Sequence, residues 1–397
     1  MSRVRPERFV AGGEALARSD DGRVVFVRGG MPGDDVTVEI TEEHGDWARG
    51  AIETIHEASA DRVTPPCIHR REGCGGCDWQ HVAESVQLPA KVAIVVDALR
   101  RTGKLGDPDV RAVGSVPGGG YRTTIRVVGD ADGRAAYRME RSNDTVVAAG
   151  CLVAHPALVE MLDALIVPPG VEVTLRVSAA TGEATALWDG DAGIVQGLPD
   201  HVATGPRASL TEVVAGHRLR VSAPSFFQSG PAAAGLLVQR VMRAAPELPT
   251  ARRVLDAYAG VGLFAAAATR PESQVVAVES SRSAVADCNV NLADRRARIE
   301  CRQVGDWRAK RGETFDVVIA DPARTGLGKP GSRAIAATGA PVVVLVSCDP
   351  VSLARDATLL SQHGYRHERT DVIDLFPGTH HVEAVTRFTR ASQPRAD

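Results

Sequence analysis

The sequence predicts a chain of three parts that ends in an α/β domain. From about residue 230 onward, helical segments alternate with apolar runs, at 254–256, 275–278, 316–320 and 341–346. That alternation predicts a Rossmann-like parallel sheet with helices on both faces. Two earlier regions, 8–58 and 121–196, instead have the pattern of short strands separated by turns. Because 397 residues exceed one ordinary domain, we expect an oligonucleotide-binding-like β-barrel, a mixed and mostly β central domain, and the α/β domain, at 1–62, 63–220 and 221–397.

The first part has the pattern of a small closed barrel. Arg23–Val27 is strand-like, and Asp35–Ile40 alternates with period two after a glycine-rich turn. Four or five short strands of this kind fit a barrel of the oligonucleotide-binding type. Residues 1–62 hold 8 basic and 13 acidic side chains, so any contact with RNA there must be local. The alternative is a barrel that only packs on its neighbours.

A cysteine-rich segment follows the predicted barrel. The two glycines between Cys74 and Cys77 let both sulfurs face one centre, and Cys67 and Cys151 complete a set of four. Four thiolates suit either zinc or an iron–sulfur cluster, and the spacing alone does not decide between them. Cys151 can also be read as a small buried residue. Residues 86–101 then suit one helix, ended by Thr102-Gly103.

A glycine turn follows the first apolar run of the α/β domain. Asp256 ends that run, and Gly260 and Gly262 allow a ligand to approach the backbone before a helix begins near Leu263. Glu279 ends the next run, where a carboxylate can accept both ribose hydroxyls of an adenosine. The same glycines also satisfy the dinucleotide fingerprint. This turn alone therefore does not separate S-adenosylmethionine from NAD.

The carboxyl ends of the later runs hold a candidate catalytic group. A parallel sheet binds ligands at that edge, where Asp321 and Cys348 each follow an apolar run. Cys348 is a candidate nucleophile, for which it must be a thiolate. Glu383 begins the last predicted strand and can take a proton in the same pocket. His380 and His381 precede it; as strand neighbours they would point to opposite faces, so a joint metal site is not expected.

Composition excludes some classes of protein. The net charge of −3 excludes a globally basic nucleic-acid binder, although 42 of the 46 basic residues are arginine, which binds phosphate through a planar fork. Codon bias is the alternative reason for the arginines. No apolar run approaches the roughly 20 residues of a membrane span, no secretory signal is evident, and seven cysteines form no regular disulfide framework. We expect a cytoplasmic protein with a disordered tail from Ser392.

Together these residues resemble the bacterial RNA uracil-5-methyltransferases, the S-adenosylmethionine-dependent group that includes tRNA and 23S rRNA enzymes. The likeness covers essentially the whole chain. Seven features carry it in order: a TRAM-like barrel around 25–36, the four cysteines, Phe226-Phe227-Gln228, Asp256 to Gly262, Asp321-Pro322, Ser347-Cys348-Asp349-Pro350 and His381-Val382-Glu383. Asp349 stands where the family usually has asparagine, and its charge beside Cys348 would oppose thiolate formation.

The resemblance implies a role for each of these residues. Cys348 would attack carbon 6 of uracil, Glu383 would remove the proton from carbon 5, and Asp321 and Arg324 would bind the base. The S-adenosylmethionine ligands would be Gln228, Asp256, Tyr258, Gly260, Gly262, Glu279, Asp306 and Asp321. The metal ligands would be Cys67, Cys74, Cys77 and Cys151, holding a 4Fe-4S cluster rather than zinc.

The substrate implied is RNA in a single-stranded or loop region, because the target base must leave its stack. We favour 23S rRNA over tRNA, and we expect a monomer that does not enter a membrane. Two alternatives stay open. One is an RNA-binding protein whose methyltransferase domain is inactive. The other is an NAD-dependent oxidoreductase, which would leave Cys348, Glu383 and the barrel unexplained.

Overall fold

The computed structural model describes residues 1–390, which form a barrel-like sheet, a central sheet, a hairpin and one large mixed sheet. The expected disorder from Ser392 concerns residues outside that range. The predicted fold class, an N-terminal barrel and a mostly β middle followed by a Rossmann-like α/β domain, is confirmed. The domain boundaries at 62 and 220 stay predictions.

Six strands form the N-terminal barrel in the spatial order β1-β5-β6-β4-β3-β2. Period-two alternation puts Val25, Val27, Val36 and Val38 into its small core. All pairs are antiparallel except β4 with β6. The strands are β1 (Ser2–Val4), β2 (Arg8–Phe9), β3 (Ala15–Arg18), β4 (Val24–Arg28), β5 (Asp35–Glu43) and β6 (Trp47–Glu57).

The middle of the chain combines two helices and an edge strand with a second sheet. The elements that precede this sheet are α1 (Ile68–Arg71), α2 (Glu84–Arg101) and β7 (Val110–Ser115). The sheet has the order β10-β9-β8-β11-β12-β13 and packs on α3. Its elements are β8 (Thr124–Gly129), β9 (Ala135–Arg138), β10 (Thr145–Val147), α3 (Pro156–Ala164), β11 (Glu172–Val177), β12 (Ala184–Leu187) and β13 (Val202–Thr204), followed by the hairpin β14 (Ser209–Val214) and β15 (His217–Ser222).

The α/β domain carries the largest sheet, in the order β18-β17-β16-β19-β20-β22-β21-β7. Five neighbouring strands from β18 to β20 are parallel, and the apolar runs predict four of them, β16, β17, β19 and β20. Strand β22 lies antiparallel between β20 and β21. Its elements are α4 (Pro231–Ala244), β16 (Arg253–Ala257), α5 (Leu263–Ala267), β17 (Gln274–Glu279), α6 (Arg282–Asn291), β18 (Arg296–Cys301), β19 (Val317–Ala320), α7 (Gly328–Ala337), β20 (Val342–Ser347), α8 (Pro350–Gln362), β21 (Tyr365–Asp374) and β22 (Glu383–Arg390).

Helix α2 lies on this last sheet although it is distant from it in sequence. Its apolar face buries Val95 and Leu99 in the core shared with α8 and β21. Lys91 on the same helix is fully buried and donates to Asp374 Oδ1 at 2.7 Å. Strand β7 continues the packing by pairing parallel with β21. The segment around the cysteines is therefore joined directly to the α/β domain.

None of the helices within residues 1–390 combines the length and apolar character that a membrane crossing requires.

Candidate active site

The predicted site residues of the α/β domain meet at one edge of the large sheet. Glu279 ends β17, Asp321 follows β19 and Cys348 follows β20, all at carboxyl ends of parallel strands. Glu383 starts β22, which runs antiparallel to β20 with Ala384 opposite Ser347. Because β22 is reversed, its first residue lies at the same edge as the last residues of its neighbours. The sheet thus brings Glu383 beside Cys348.

The glycine turn after β16 has the shape of a nucleotide cradle. Gly260 has φ +55° and Gly262 has φ +86°, and nothing lies within 4 Å of the position that a Cβ on Gly260 would occupy. Glu279 fixes the turn by accepting the Gly260 backbone N–H at 3.0 Å and those of Ser280 and Ser281 at 2.6 and 2.7 Å. Tyr258 itself has φ +62°, which is uncommon for a non-glycine residue. The open space at Gly260 leaves the turn accessible to a ligand, and a contact of Glu279 with the ribose stays a prediction.

Asp256 lies underneath this turn instead of facing open space. It is fully buried and accepts the Ala265 backbone N–H at 2.9 Å, which fixes the start of α5. Its Oδ1 has no hydrogen-bond partner among the described residues, and burial raises the pKa of Asp256 to about 7. A direct contact of Asp256 with the cofactor stays a prediction. The same holds for Asp306, which ends a short 3-10 turn (Val304–Asp306) beyond β18 and is exposed.

The segment before α4 carries Gln228, a predicted cofactor ligand, to Asp321, which is predicted to bind both the cofactor and the base. Gln228 donates from Nε2 to Asp321 Oδ2 at 3.2 Å, so two predicted ligands are already in contact. Two residues earlier, the Phe226 side chain is 74% exposed, while Phe227 packs into the core. The exposed ring has no packing role and is free to contact a ligand.

Cys348 and Glu383, the predicted nucleophile and base, lie close to a further carboxyl group, that of Asp321. Burial raises the pKa of Cys348 to about 12, with Glu383 and Asp321 adding to the shift and Arg324 opposing it. Burial also holds the pKa of Glu383 well above its usual range, and Asp321 adds to that shift. The pKa of Asp321 is raised by burial to about 7, against the hydrogen bond from Gln228. In the protein without ligands, burial therefore favours the thiol form of Cys348 and the protonated form of Glu383.

The carboxylate of Asp349, expected to oppose the Cys348 thiolate, is hydrogen-bonded within its own helix, and its effect on Cys348 stays a prediction. Asp349 is the N-cap of α8, and its Oδ1 accepts the Ser352 backbone N–H at 2.6 Å. Its charge is thus directed at the helix N-terminus, where it is stabilising. The groups that oppose the thiolate are Glu383 and Asp321, both distant in sequence.

The two histidines before Glu383 also differ from the expectation. They lie in the loop before β22, not in the strand, and their ring centroids are 4.4 Å apart instead of on opposite faces. His380 is hydrogen-bonded to Asp78, with 2.7 Å between His380 Nδ1 and Asp78 Oδ2. His381 contacts Arg324 Nη2 at 3.3 Å. Burial, followed by His380 and Arg324, lowers the pKa of His381 to about 3, so this ring is neutral.

One residue that supports the site was missed by sequence reasoning. Asp356 in α8 is fully buried and accepts the backbone N–H groups of Leu327 and Gly328 at 2.6 and 3.1 Å. It thereby ties the helix that follows Cys348 to the loop that carries Asp321 and Arg324. The available signal was a carboxylate on the apolar face of a helix, between Leu353 and Leu360, where an unpaired charge would be costly.

The four predicted metal ligands lie around one cavity of about 490 Å³ in the central region. Burial raises the pKa of Cys77 to about 12 and also raises that of Cys74, and the other cysteines add to both shifts. Within residues 1–390, however, no group of three or more His, Cys, Asp or Glu side chains is placed to hold a metal ion. The metal assignment of Cys67, Cys74, Cys77 and Cys151 therefore stays a prediction.

Comparison with known proteins gives the same two domains and one family. Models of the methyltransferase small domain and of the TRAM domain match residues 230–329 and 7–52. The chain is 33% identical to an uncharacterized RNA methyltransferase of Streptomyces avermitilis, over 96% of each chain. It is 32% identical to the 23S rRNA (uracil(1939)-C(5))-methyltransferase RlmD of Methylococcus capsulatus, over 97% of this chain and 96% of that one.

A solved structure has the same fold over nearly the whole length. It is the tRNA (uracil-54, C5)-methyltransferase of Pyrococcus abyssi in complex with S-adenosyl-L-homocysteine, with a TM-score of 0.75 at 22% identity. The match covers 98% of this chain and all of that one. Full-length identity above 30% and the shared domain order together show that the chain belongs to the family of S-adenosylmethionine-dependent RNA uracil-C5-methyltransferases.

Proposed function

We propose that this protein methylates carbon 5 of one uridine in 23S rRNA through a covalent bond between Cys348 and the base. The observation that carries the proposal is the meeting of Cys348 and Glu383 at one sheet edge, next to Asp321 and the glycine turn. The RNA class rests on the relative of Methylococcus capsulatus, which is named as a 23S rRNA methyltransferase and is aligned over 96% of its length. RNA as the substrate also implies action in the cytoplasm. We expect a monomer.

The reaction needs two roles from the protein. Cys348 as a thiolate bonds to carbon 6 of the uracil, and the electron pair displaced from the carbon 5–carbon 6 double bond forms an enolate. Bound S-adenosylmethionine supplies the methyl group, which carbon 5 takes from the sulfonium. Glu383 as a carboxylate then removes the carbon 5 proton, the double bond forms again, and the bond to Cys348 breaks. Asp321, held by Gln228, orients the base so that these steps occur in register.

A basic cavity of about 390 Å³ beside Gln228 supports RNA as the substrate. Its lining includes Arg122, Arg126 and Arg176 and the exposed Phe226, and no acidic residue among the described residues lines it. The buried Arg176 guanidinium donates to Thr124 and to two backbone carbonyls, so Arg122 and Arg126 are the candidates for phosphate binding. Arginines bind phosphate, and an exposed aromatic ring can stack on an unpaired base. An overall acidic chain therefore still offers a basic entry to its active site.

We further propose that Cys67, Cys74, Cys77 and Cys151 hold a 4Fe-4S cluster. All four cysteines line one cavity in the central region, which supports a common centre. Four thiolates suit either zinc or an iron–sulfur cluster, and the family resemblance favours the cluster. None of the methyl-transfer steps requires an electron, so the cluster would serve structure or RNA positioning.

Labelled-methyl transfer with 23S rRNA and with total tRNA tests the proposed reaction. Cys348→Ala should abolish transfer and leave S-adenosylmethionine affinity unchanged, because the thiol acts on the base. Val351→Ala, an exposed position in the first turn of α8, is the matched control. Turnover above a tenth of wild type in Cys348→Ala would overturn the nucleophile, and labelling of tRNA alone would overturn the choice of 23S rRNA.

A further inference from the structure

The loop between β21 and β22 is held almost entirely by a distant part of the chain. This loop, residues 375–382, leads into Glu383 and has no regular secondary structure. In the part of the chain that the structure describes, the hydrogen bonds that reach it from residues beyond the flanking strands come from Arg324 and from four residues within 78–91. These four are Asp78, Trp79, Gln87 and Lys91.

Asp78 makes the closest of these contacts to the catalytic residues. Its Oδ1 accepts the His380 backbone N–H at 3.1 Å, and its Oδ2 accepts the His380 ring Nδ1–H at 2.7 Å. One carboxylate therefore fixes both the backbone and the ring of a residue three positions before Glu383. Two bonds to one residue define its position and its rotation, which a single bond would not.

Other contacts surround this pair and leave it little freedom. A Cβ on Gly13 of the barrel would lie 2.6 Å from the His380 Cβ and 2.8 Å from Asp78 Oδ2, so the barrel backbone packs directly on the pair. Trp79 donates from Nε1 to the Gly13 carbonyl at 2.9 Å and from its backbone N–H to the Gly378 carbonyl at 2.9 Å. The barrel, the cysteine segment and the catalytic loop therefore meet at one point.

The contacts of Asp78 and His380 extend through His381 to Arg324. The His381 ring stacks at a tilt on His380 and contacts Arg324, which lies in the loop after Asp321. Movement of His380 would therefore disturb the Arg324 side of the pocket and the approach of Glu383 together. Both belong to the machinery of the proposed reaction.

We propose that Asp78 is a positioning residue that holds Glu383 in place through His380, so that the cysteine segment and the barrel brace the catalytic base. The inference rests on the proposed role of Glu383. It concerns Asp78, to which the proposed reaction assigns no contact with RNA or S-adenosylmethionine. Asp78 directly follows Cys77, so the cysteine segment restricts the position of Glu383 through the Asp78 side chain. Loss of the carboxylate should slow the step that uses Glu383 more than the steps that precede it.

The test uses full-length protein purified without oxygen and three variants. Asp78→Ala removes both bonds, and Asp78→Asn keeps an amide oxygen that can accept the His380 N–H. The matched control is Glu72→Ala, which removes a carboxylate paired with His69 at 2.9 Å in the same cysteine segment, away from the loop. Each variant is characterised by its thermal midpoint, its S-adenosylmethionine affinity and its single-turnover rate with the wild-type RNA substrate. The amount of covalent RNA adduct and the hydrogen exchange of peptides covering 376–383 are measured as well.

Asp78→Ala should lose about 10- to 100-fold in the rate of product release from the adduct, the range for small misplacements of a catalytic group. Covalent adduct should accumulate and exchange in 376–383 should rise, with the thermal midpoint and cofactor affinity equal to those of Glu72→Ala. Asp78→Asn should recover part of the rate. A merely structural role would lower the thermal midpoint without raising the adduct.

The outcomes separate the two proposals. If Asp78→Ala matches Glu72→Ala in rate, adduct and exchange while the wild type needs Cys348 and Glu383, positioning by Asp78 is overturned and the proposed function stands. If the wild type methylates no RNA, the proposed function fails. In that case, unchanged hydrogen exchange at 376–383 in Asp78→Ala would also overturn the positioning role of Asp78.

Discussion

Glu383→Gln should trap the RNA on the enzyme, because it removes the base and leaves the nucleophile. Glu383 is only 5% exposed and starts β22 in register with Ile373 of β21. Glutamine has the same shape and no charge to desolvate, so the strand and the pocket should be retained. Methyl transfer to carbon 5 can still occur, but the carbon 5 proton remains and the bond to Cys348 cannot break by elimination.

The size of the effect follows from the role of the lost group. A positioned general base contributes about 10² to 10⁴ in rate, which is about 2.7 to 5.4 kcal/mol of activation free energy. Elimination should slow by that factor, while cofactor affinity stays within about twofold because Glu383 makes no hydrogen bond to the glycine turn. The adduct should then become the main form of the enzyme under single-turnover conditions.

A denaturing gel with labelled RNA reports the trapped adduct as a slow-migrating band. Mass spectrometry of the digested band should show a methylated uridine attached at Cys348. The double variant Cys348→Ala with Glu383→Gln is the control and should show no band. If Glu383→Gln is inactive on an RNA that the wild type methylates and forms no adduct with it, Glu383 is not the base.

Further predictions concern pH and the cysteines. The pKa values of Cys348 and Glu383 are raised and both groups act in their deprotonated forms, so the single-turnover rate should rise by up to about tenfold per pH unit through the neutral range; a rate that falls with rising pH would contradict this sign. Adduct formation by Glu383→Gln, followed over the same pH range, isolates the contribution of Cys348. Protein purified without oxygen should be brown and contain iron, and colourless protein with stoichiometric zinc would refute the cluster. Cys77→Ser should lower stability and RNA affinity, since a lost ligand weakens binding that is coupled to folding, and a large loss of S-adenosylmethionine affinity would contradict the separation of the two sites.

Local patterns in the sequence predict the parts of this protein that local physics determines. Apolar runs of three to six residues predict four of the five parallel strands, β16, β17, β19 and β20, because strands buried on both faces need continuous apolar sequence. The fifth, β18 at the edge of the sheet, has no such run. The glycines at 260 and 262 predict the cradle, because only glycine takes their positive φ angles without strain. The order of Asp321, Cys348 and Glu383 along the chain also leads to the family.

Only the tertiary structure decides which charges act on Cys348. The sequence places Asp349 next to Cys348, yet a hydrogen bond to the Ser352 N–H turns this carboxylate toward its own helix. Glu383 reaches Cys348 because β22 runs antiparallel between β20 and β21, and strand direction within a sheet is set by long-range pairing. The carboxylates that add to the raised pKa of Cys348, Glu383 and Asp321, are therefore distant from it in sequence.

The same reason explains why sequence reasoning could not find the support around the catalytic loop. Asp78 and His380 are 302 residues apart, and Lys91 and Asp374 are 283 apart. Each of these residues is unremarkable in its local pattern, and its role exists only after α2 and the cysteine segment pack on the large sheet. The sequence determines which chemical groups the protein contains. The packing of distant segments determines which of these groups come into contact, because a hydrogen bond depends on distance in space.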